Sequence, residues 1–538
     1  MKLNHIIKGI CGVALLFAAV AFTSCTSEFN KWNTNPDAAS EDQMQSDNLM
    51  TGSYFANMQH NVFVVGANKG GDFQMIDMLV GGLYSGYISN IKNAYDIGSV
   101  HNAHYAFPTK WLNAPFNNAY TNVMENWYQL TLKAEEAQTP AVAALATIVK
   151  VFAMSRVTDM YGPIPYTDYG GKLKVAYDSQ EKVYKTFFTE LDNSINLLTE
   201  YLQAGSTSIL KDYDYVYGGN VESWLKFANT LRLRLALRVA YANASLAKAQ
   251  AQAAIDNAYG FIELPAEAPY HTQSTKFSFI NPYWEVCTSF GDMRMCASFE
   301  SYLNGYADPR AAAYFKEAVN GGGIHGVYPG LSSINQTAYS DYTSSMNFEQ
   351  SSPMQWMSAA ESFFLRAEAK LRWDLGSASA QSLYESGIET SFQERSVSGA
   401  AAYIANSTAV PADFADNSNQ GSWYKNDAAA VGNVTIAWNE GDNFETKLEK
   451  IITQKWIAIY PDGQEAWSEY RRTGYPHLFT VASNQSGGTV DTDLQVRRLK
   501  FAPDEFSNNA ANVQAAVGLL GGQDTGGTKL WWDKNPRH

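Results

Sequence analysis

From Ala119 onward, apolar residues fall at three- and four-residue intervals, the repeat of a helix that buries one face. Trp127, Leu130, Ala134 and Ala137 make the first stripe. Pro140 opens the next segment at the first helical position, where its missing N–H is no loss. That helix is predicted over about Pro140 to Met160. It stops at Tyr161-Gly162-Pro163-Ile164-Pro165-Tyr166, because the two prolines cannot continue it. A third stripe, Val183, Phe187, Phe188, Leu191, Ile195 and Leu198, predicts a helix over about Glu181 to Leu202. In Val221 to Tyr241 leucine and arginine alternate at period two, a strand-like sign, but length and strong helix formers predict helix. Helical spacing returns at about Met354 to Asp374, with Phe363, Phe364, Ala367 and Leu371 on one face. Further helices are predicted over about Ser379 to Gln393, Phe444 to Ile459 and Gln464 to Arg472. The expected fold is mostly α: an array of helix-turn-helix repeats over about 119–258 and 354–472, which bury their apolar faces by stacking on neighbours.

Between these blocks the periodicity lapses. From Met50 to Asn90 glycine and aromatic residues mix, as in Gly70-Gly71-Asp72-Phe73-Gln74 and Gly82-Leu83-Tyr84-Ser85-Gly86-Tyr87, and helix cannot be separated from loop. Two longer stretches, about 261–352 and 396–443, read as irregular subdomains inserted between helices. Long loops in compact proteins are commonly functional.

The amino end has its own logic. Charged residues from Lys2 to Lys8, an apolar run from Ile10 to Phe22 and then Thr23-Ser24 describe a secretory signal peptide over 1–24. The run is too short for a membrane span, which takes ~20 apolar residues. Cys25 follows directly and resembles the lipobox of bacterial lipoproteins, in which cleavage before the cysteine frees it to carry acyl chains. Residues 25–45 then read as a lipidated tether and 46–538 as the body. Cys287 and Cys296 remain in the mature chain, either paired or as buried free thiols. A net charge of −14 disfavours a nucleic-acid partner, whose phosphates call for Lys and Arg.

Motifs for chemistry are weak. Gly321-Gly322-Gly323-Ile324-His325-Gly326 fits the glycine spacing of dinucleotide sites, but no strand precedes it and no helix follows, so it reads as a loop. His101 and His104 lack a third ligand, and no metal site is expected. Glu361 with Glu368, and Glu465 with Glu469, sit at helical spacings that fit solvated faces or structural salt bridges more than the paired carboxyls of a glycosidase. Arg232, Arg234 and Arg238 spread around their helix and are expected to pair with carboxylates. Arg471-Arg472 is read as structural. No catalytic residue and no cofactor motif emerges.

Several stretches in combination resemble the SusD/RagB family of outer-membrane nutrient-binding lipoproteins, in its branch with tetratricopeptide-type repeats. They are Cys25 with Asn33-Thr34-Asn35-Pro36, Gly71-Asp72-Phe73-Gln74 to Tyr87, Asp159-Met160-Tyr161-Gly162-Pro163-Ile164-Pro165-Tyr166, and Trp224 to Arg238. Further on come Ala307-Asp308-Pro309-Arg310, Ala367-Glu368-Ala369, Lys455-Trp456-Ile457-Ala458, Glu465-Ala466-Trp467 and Arg471-Arg472-Thr473-Gly474-Tyr475-Pro476. The resemblance implies a lipoprotein anchored in the outer membrane and facing the cell exterior. It would cap a TonB-dependent SusC-like barrel and deliver an oligosaccharide, or less often a peptide, for import. It also implies that the irregular part carries the ligand. A lipoprotein hydrolase is the alternative from another class.

The chain holds 13 Trp, 32 Tyr and 27 Phe. Flat rings suit the CH faces of sugars. Aromatics in glycine-rich, loop-like context are therefore the candidate ligand contacts: Tyr84, Tyr87, Trp111, Tyr283 and Trp284, with Asn90 and Asn113 as hydrogen-bonding neighbours. This choice comes from composition and context; the family resemblance does not assign it.

Overall fold

Short polar side chains set where the helices begin. In the computed structural model, which describes residues 49–274 and 276–537, Ser179 accepts a hydrogen bond from the Lys182 amide, Asn220 from Ser223 and Asn243 from Leu246. Ser379, Asn443 and Asp462 do the same for Ser382, Thr446 and Glu465. Each cap satisfies an amide that the first turn leaves without a partner. The longer helices are α1 (Leu49–Val62), α2 (Thr109–Asn118), α3 (Glu125–Glu136), α4 (Pro140–Tyr161), α5 (Gln180–Gln203), α6 (Val221–Arg238) and α7 (Ala244–Ile255). After an irregular stretch come α8 (Ala297–Gly305), α9 (Ala359–Trp373), α10 (Ala380–Glu394), α11 (Phe444–Ala458), α12 (Gly463–Thr473) and α13 (Ala510–Leu519). Neighbours in sequence pack as pairs, α3 on α4, α4 on α5, α6 on α7 and α9 on α10, and α6 joins the two sets by packing on α9. Mostly helical pairing is what the apolar periodicity predicts.

α4 shows how deep this core is. It is long and apolar enough to cross a membrane, yet 83% of its apolar window is buried inside the protein, under α3 and α5. Most of the chain's aromatic surplus goes inward too. Trp224, Trp356, Trp456, Trp467 and Trp532 are all but fully buried.

Charge is buried along with the rings. Arg234 on α6 grips Glu361 on α9 with two N–H groups, Nε to Oε1 at 2.8 Å. One turn on, Arg238 reaches Glu469 at 2.6 Å and Glu465 at 2.5 Å on α12, and Asp159 on α4 at 3.3 Å. Arg472 holds both Glu469 and Glu368, each at 2.6 Å. Lys455 of α11 sits among Glu361, Glu465 and Glu469 at 3.1–3.3 Å. Burial pushes the Glu465 carboxyl upward, but Arg238, Arg234 and Lys455 outweigh it and hold the group at about 2. Burial likewise opposes ionisation of Glu469, and Arg472, Lys455 and Arg238 bring it well below the ordinary carboxylate range. Arg234 and Arg238 thus pair with carboxylates as expected, Arg232 pairs with Asp192 at 2.8 Å, and the four glutamates are buried in salt bridges and not on solvated faces.

The glycine- and aromatic-rich stretch before residue 90 resolves into helix. After α1, residues Gly70–Phe73 and a wider π-helical segment, Gln74–Gly82, run into the core. Gly81 and Gly463 meet there. A Cβ on Gly81 would stand 2.4 Å from the Gln464 amide nitrogen, and one on Gly463 would stand 2.6 Å from the Gly81 carbonyl carbon. Only glycine lets these two backbones touch. The same π-helical segment carries Asp77, paired at 2.6 Å with Arg156, whose other nitrogen holds Asp462 at 2.7 Å.

The structure corrects two predicted boundaries. Met354–Gln355 is a strand, β4, paired antiparallel with β2 (Tyr270–His271), so α9 begins only at Ala359. Helix also starts earlier than Ala119, since α2 begins at Thr109 and Pro115 lies within it. Aromatic and asparagine residues mask the apolar stripe there.

Removing one partner from the ionic lattice is expected to cost far more than removing a surface pair. Glu469→Gln leaves Arg238, Arg472 and Lys455 short of a buried carboxylate, and urea unfolding should show a loss of ~3–5 kcal/mol. Glu181→Gln, which breaks the exposed pair with Lys185, should cost less than about 1 kcal/mol. Equal losses would show that the lattice is not what holds the helices.

Candidate functional site

The irregular stretches are bound to each other. β1 (Ile88–Asn90) pairs antiparallel with β3 (Met293–Met295), Ile88 opposite Met295. The chain from β3 continues into Ala297, whose amide donates to Val327 while the Val327 amide donates to Met295. Phe414 and Ala428 exchange both backbone hydrogen bonds. The Phe414 and Phe479 rings pack with Tyr328 at 6.2 and 5.5 Å. Ile91, Val327, Leu331, Ile334 and Tyr339 form a small apolar core of their own. The two insertions thus share a body with residues 88–91 and 479.

Six of the seven residues expected to touch ligand are in the interior instead. Tyr84 donates its hydroxyl to the Asn102 carbonyl at 3.1 Å and packs on Trp467. Tyr87, 1% exposed, donates to the Trp456 carbonyl and packs against Trp456 and Phe299, which also touch each other. Asn90 closes on the Lys92 carbonyl at 2.9 Å, and Asn113 accepts from the Asp504 amide at 3.1 Å. Trp111 packs edge-on against Tyr95. Tyr283 donates to the Pro461 carbonyl at 3.0 Å and meets Phe73 edge-on. Trp284 alone among them is partly exposed. The hydroxyls of Tyr84, Tyr87 and Tyr283 are thus each engaged by a backbone carbonyl. Cys25 lies outside the described residues.

The two most exposed rings among the described residues are elsewhere. Trp423 is 96% exposed and Tyr424 is 72% exposed. They occupy a single 3₁₀ turn, Ser422–Tyr424, in the second insertion. The loop under them is tied down. Asp416 accepts from the Ser418 amide at 2.9 Å, the Asn426 amide at 3.1 Å and the Tyr339 hydroxyl at 3.2 Å. Gln420 donates to the same hydroxyl at 2.6 Å, and Asn417 to the Tyr342 carbonyl at 2.9 Å. Lys425 is turned back onto the Asp416 carbonyl at 2.8 Å. Sequence reasoning marked 396–443 as irregular but passed over these rings. The available signal was an aromatic pair directly after the polar run Asn417-Ser418-Asn419-Gln420-Gly421-Ser422 and before Lys425-Asn426-Asp427.

Two hollows among the described residues do not compete with this surface. A hollow lined by Tyr84, Tyr105, Cys296, Phe479 and Gln495 offers about 20 Å³, and another beside Asp77 and Arg156 about 30 Å³. Such volumes hold a water or two and not a sugar ring. His101 and His104 are both buried, their ring centroids 4.8 Å apart, and His104 Nε2 contacts the Leu331 carbonyl at 3.0 Å. Cys287 and Cys296 are free and buried, and burial pushes the Cys287 thiol up to about 12. Gly321, Gly322 and Gly323 all have positive φ, 93°, 66° and 78°, and form a turn, not the start of a helix. Beside them His325 Nδ1 lies 3.4 Å from Glu300, which also accepts the Gly326 amide at 2.6 Å.

Comparison with known proteins gives a consistent answer. The family model described as "SusD-like: Susd and RagB outer membrane lipoprotein" matches residues 31–533. A chitin-binding SusD homologue from Flavobacterium johnsoniae is 39% identical, with a TM-score of 0.85, over 90% of this chain and 99% of that one. A SusD homologue from Bacteroides vulgatus is 34% identical with a TM-score of 0.85, covering 93% and 100%. One from Bacteroides uniformis is 36% identical with a TM-score of 0.82, covering 90% and 99%. Among curated proteins none matches.

The His325–Glu300 contact sets a pH response in this face. Hydrogen bonding to Glu300, opposed by partial burial, raises the imidazole above its ordinary 6.5. A raised histidine stabilises the fold fully below its unfolded value and loses that contribution as pH rises through the folded one. Histidine NMR titration should place the His325 midpoint above 6.5, and Glu300→Gln should bring it down. A midpoint that the substitution leaves in place would remove Glu300 as the cause.

Proposed function

The chain belongs to the SusD-like family of outer-membrane lipoproteins, and from that premise we propose that it captures a glycan at the cell surface and passes it to a TonB-dependent SusC-like barrel. Members of this family bind and do not catalyse. In this reading Cys25 carries the acyl anchor. Two or more chains at ~0.8 kcal/mol per buried CH₂ hold a protein on a membrane stably.

The observation that carries the glycan reading is the Trp423–Tyr424 pair, held out from the irregular body by a loop that has no other evident use for it. Rings of this kind stack on the apolar faces of sugars. The chitin-binding relative makes chitin-type oligomers the first ligands to try. The absence of room for a sugar in the two hollows described above agrees with capture on an open surface. A polymer can lie across such a surface without threading into a cavity.

Purified protein is expected to be retarded in gels containing glycol chitin and to give binding heat with chitohexaose, with no release of reducing ends. Binding of peptides alone would replace the glycan reading, and release of sugar would make the protein a hydrolase. Co-purification of a large outer-membrane barrel is the expected result for the partner. Cys25→Ala should move the protein from the membrane fraction to the soluble one. A variant that stayed in the membrane would show that the anchor lies elsewhere.

A further inference from the structure

We propose that the hollow beside Asp77 is a binding site for an alkali cation, sodium or potassium, held by the Asp77 carboxylate and the Asn61 side-chain oxygen. The inference stands apart from the glycan reading. It concerns the scaffold, where α4 meets the π-helical segment Gln74–Gly82.

Most of the hollow's wall is apolar, but four polar side chains reach it: Asn61 of α1, Asp77, Asn118 of α2 and Arg156 of α4. Asp77 is 3% exposed. Its Oδ2 accepts from Arg156 Nη2 at 2.6 Å, while its Oδ1 has no hydrogen-bond partner. A buried carboxylate oxygen without a donor is costly, and an ion is one of the things that can meet it. Asn61 and Asn118 are half-buried and open the hollow toward solvent. Their amides belong to an ordered row. Asn61 Nδ2 donates to the Asn57 carbonyl at 2.8 Å and to its side-chain oxygen at 3.1 Å. Asn118 donates to the Asn61 carbonyl at 3.0 Å and accepts from Asn122 at 2.9 Å. The row fixes which end of Asn61 is nitrogen, and no hydrogen bond among the described residues uses its Oδ1. Two oxygen donors thus stand uncommitted in the wall of one hollow.

Charge then selects the ligand. Arg156 serves two carboxylates at once, Asp77 at 2.6 Å and Asp462 at 2.7 Å, so one negative charge is left over. The next cation, Arg234, stands 4.0 Å from Asp462 and is closed on Glu361. A surplus charge in the interior is unfavourable until something neutralises it. One monovalent cation matches it. A divalent ion would overshoot it and would feel the Arg156 guanidinium more strongly. The free donors are a carboxylate and an amide oxygen, which suit hard cations and not the softer metals that histidine or cysteine hold. Size agrees, since about 30 Å³ takes an alkali ion with a water and excludes an organic cation such as choline. A proton is the competitor. Burial raises the Asp77 carboxyl to about 6, with Arg156 opposing and Asp462 adding to the rise. Arg156, Asp462 and Tyr283 are the titratable groups that act on it. Above that value the carboxylate is ionised and open to a cation; below it the proton takes the place.

The test is thermal unfolding of the detergent-solubilised, acylated full chain in sodium, potassium or choline chloride, each at about 150 mM so that screening is equal. At a pH of about 7.5 at least one alkali salt should raise the midpoint by roughly 1–3 °C over choline, and the gain should saturate as the alkali ion replaces choline. At a pH of about 5 the gain should shrink, because Asp77 then holds a proton. Asp77→Asn should abolish the gain, and Glu181→Gln, which removes an exposed carboxylate, should keep it. Equal midpoints in alkali and choline salts at the higher pH overturn the proposal and leave water to serve Asp77 Oδ1. So does a gain that Asp77→Asn retains, or one that Glu181→Gln removes, which would trace it to surface charge. If Asp77→Asn does not fold, Asn61→Ala at its half-buried position decides: the gain should fall there, and an undiminished gain overturns the proposal.

Discussion

Glu469 sits among Arg238, Arg472 and Lys455 where water does not reach. Taking such groups out of water costs several kcal/mol per ion unless each finds a fixed partner. The partners come from α4, α6, α9, α11 and α12, so the helices have to assemble in one register for every charge to be met. Apolar stripes alone would tolerate a slip of one turn, since leucine replaces leucine. A slip here would strand a carboxylate against apolar side chains. The lattice therefore works as a register lock, with the Gly81–Gly463 contact next to it fixing how closely the amino-terminal helix may approach α12.

That lock explains why the helical part of the fold could be read from the chain. The stripes of α4, α5 and α6 have clean spacing, caps at known residue types and prolines at their ends. The Leu/Arg alternation in α6 was ambiguous between two periods. It becomes intelligible once Arg234 and Arg238 are seen to point at carboxylates on other helices while the leucines pack. The amino-terminal segment was unreadable for a different reason. Gly70, Gly81 and Gly82 look like breakers, yet they sit in helix because other groups press against them. Close approach is a tertiary fact that no local pattern carries.

The proposed binding surface was less legible, and the cause is arithmetic. In a chain with so many aromatic residues, most rings are needed to fill the interior. Tyr84 and Tyr87 stand in glycine-rich sequence because the backbone bends there to let a ring inward. Glycine beside a tyrosine therefore signalled tight packing, not display. Trp423 and Tyr424 differ in a way the sequence does record. They lie among asparagine, serine and glutamine, with no apolar residue in the immediately flanking stretches 416–422 and 425–427. The more useful sign of a displayed ring is the absence of apolar neighbours, not the presence of glycine.

Scaffold and surface divide the physical work between them. Helices locked by buried charge supply stability that the insertions do not have to provide, and the insertions can then afford irregular backbone and an aromatic pair in water. An open platform of this kind gains affinity from few contacts and leaves much of a bound chain in solvent. For a protein that hands its cargo onward, as proposed, that is an advantage. Binding energy invested in holding the chain would have to be recovered when the transporter takes it. A deep pocket would make capture tighter and release slower by the same factor. The rings on Ser422–Tyr424, rigid but shallow, fit a role in which letting go matters as much as taking hold.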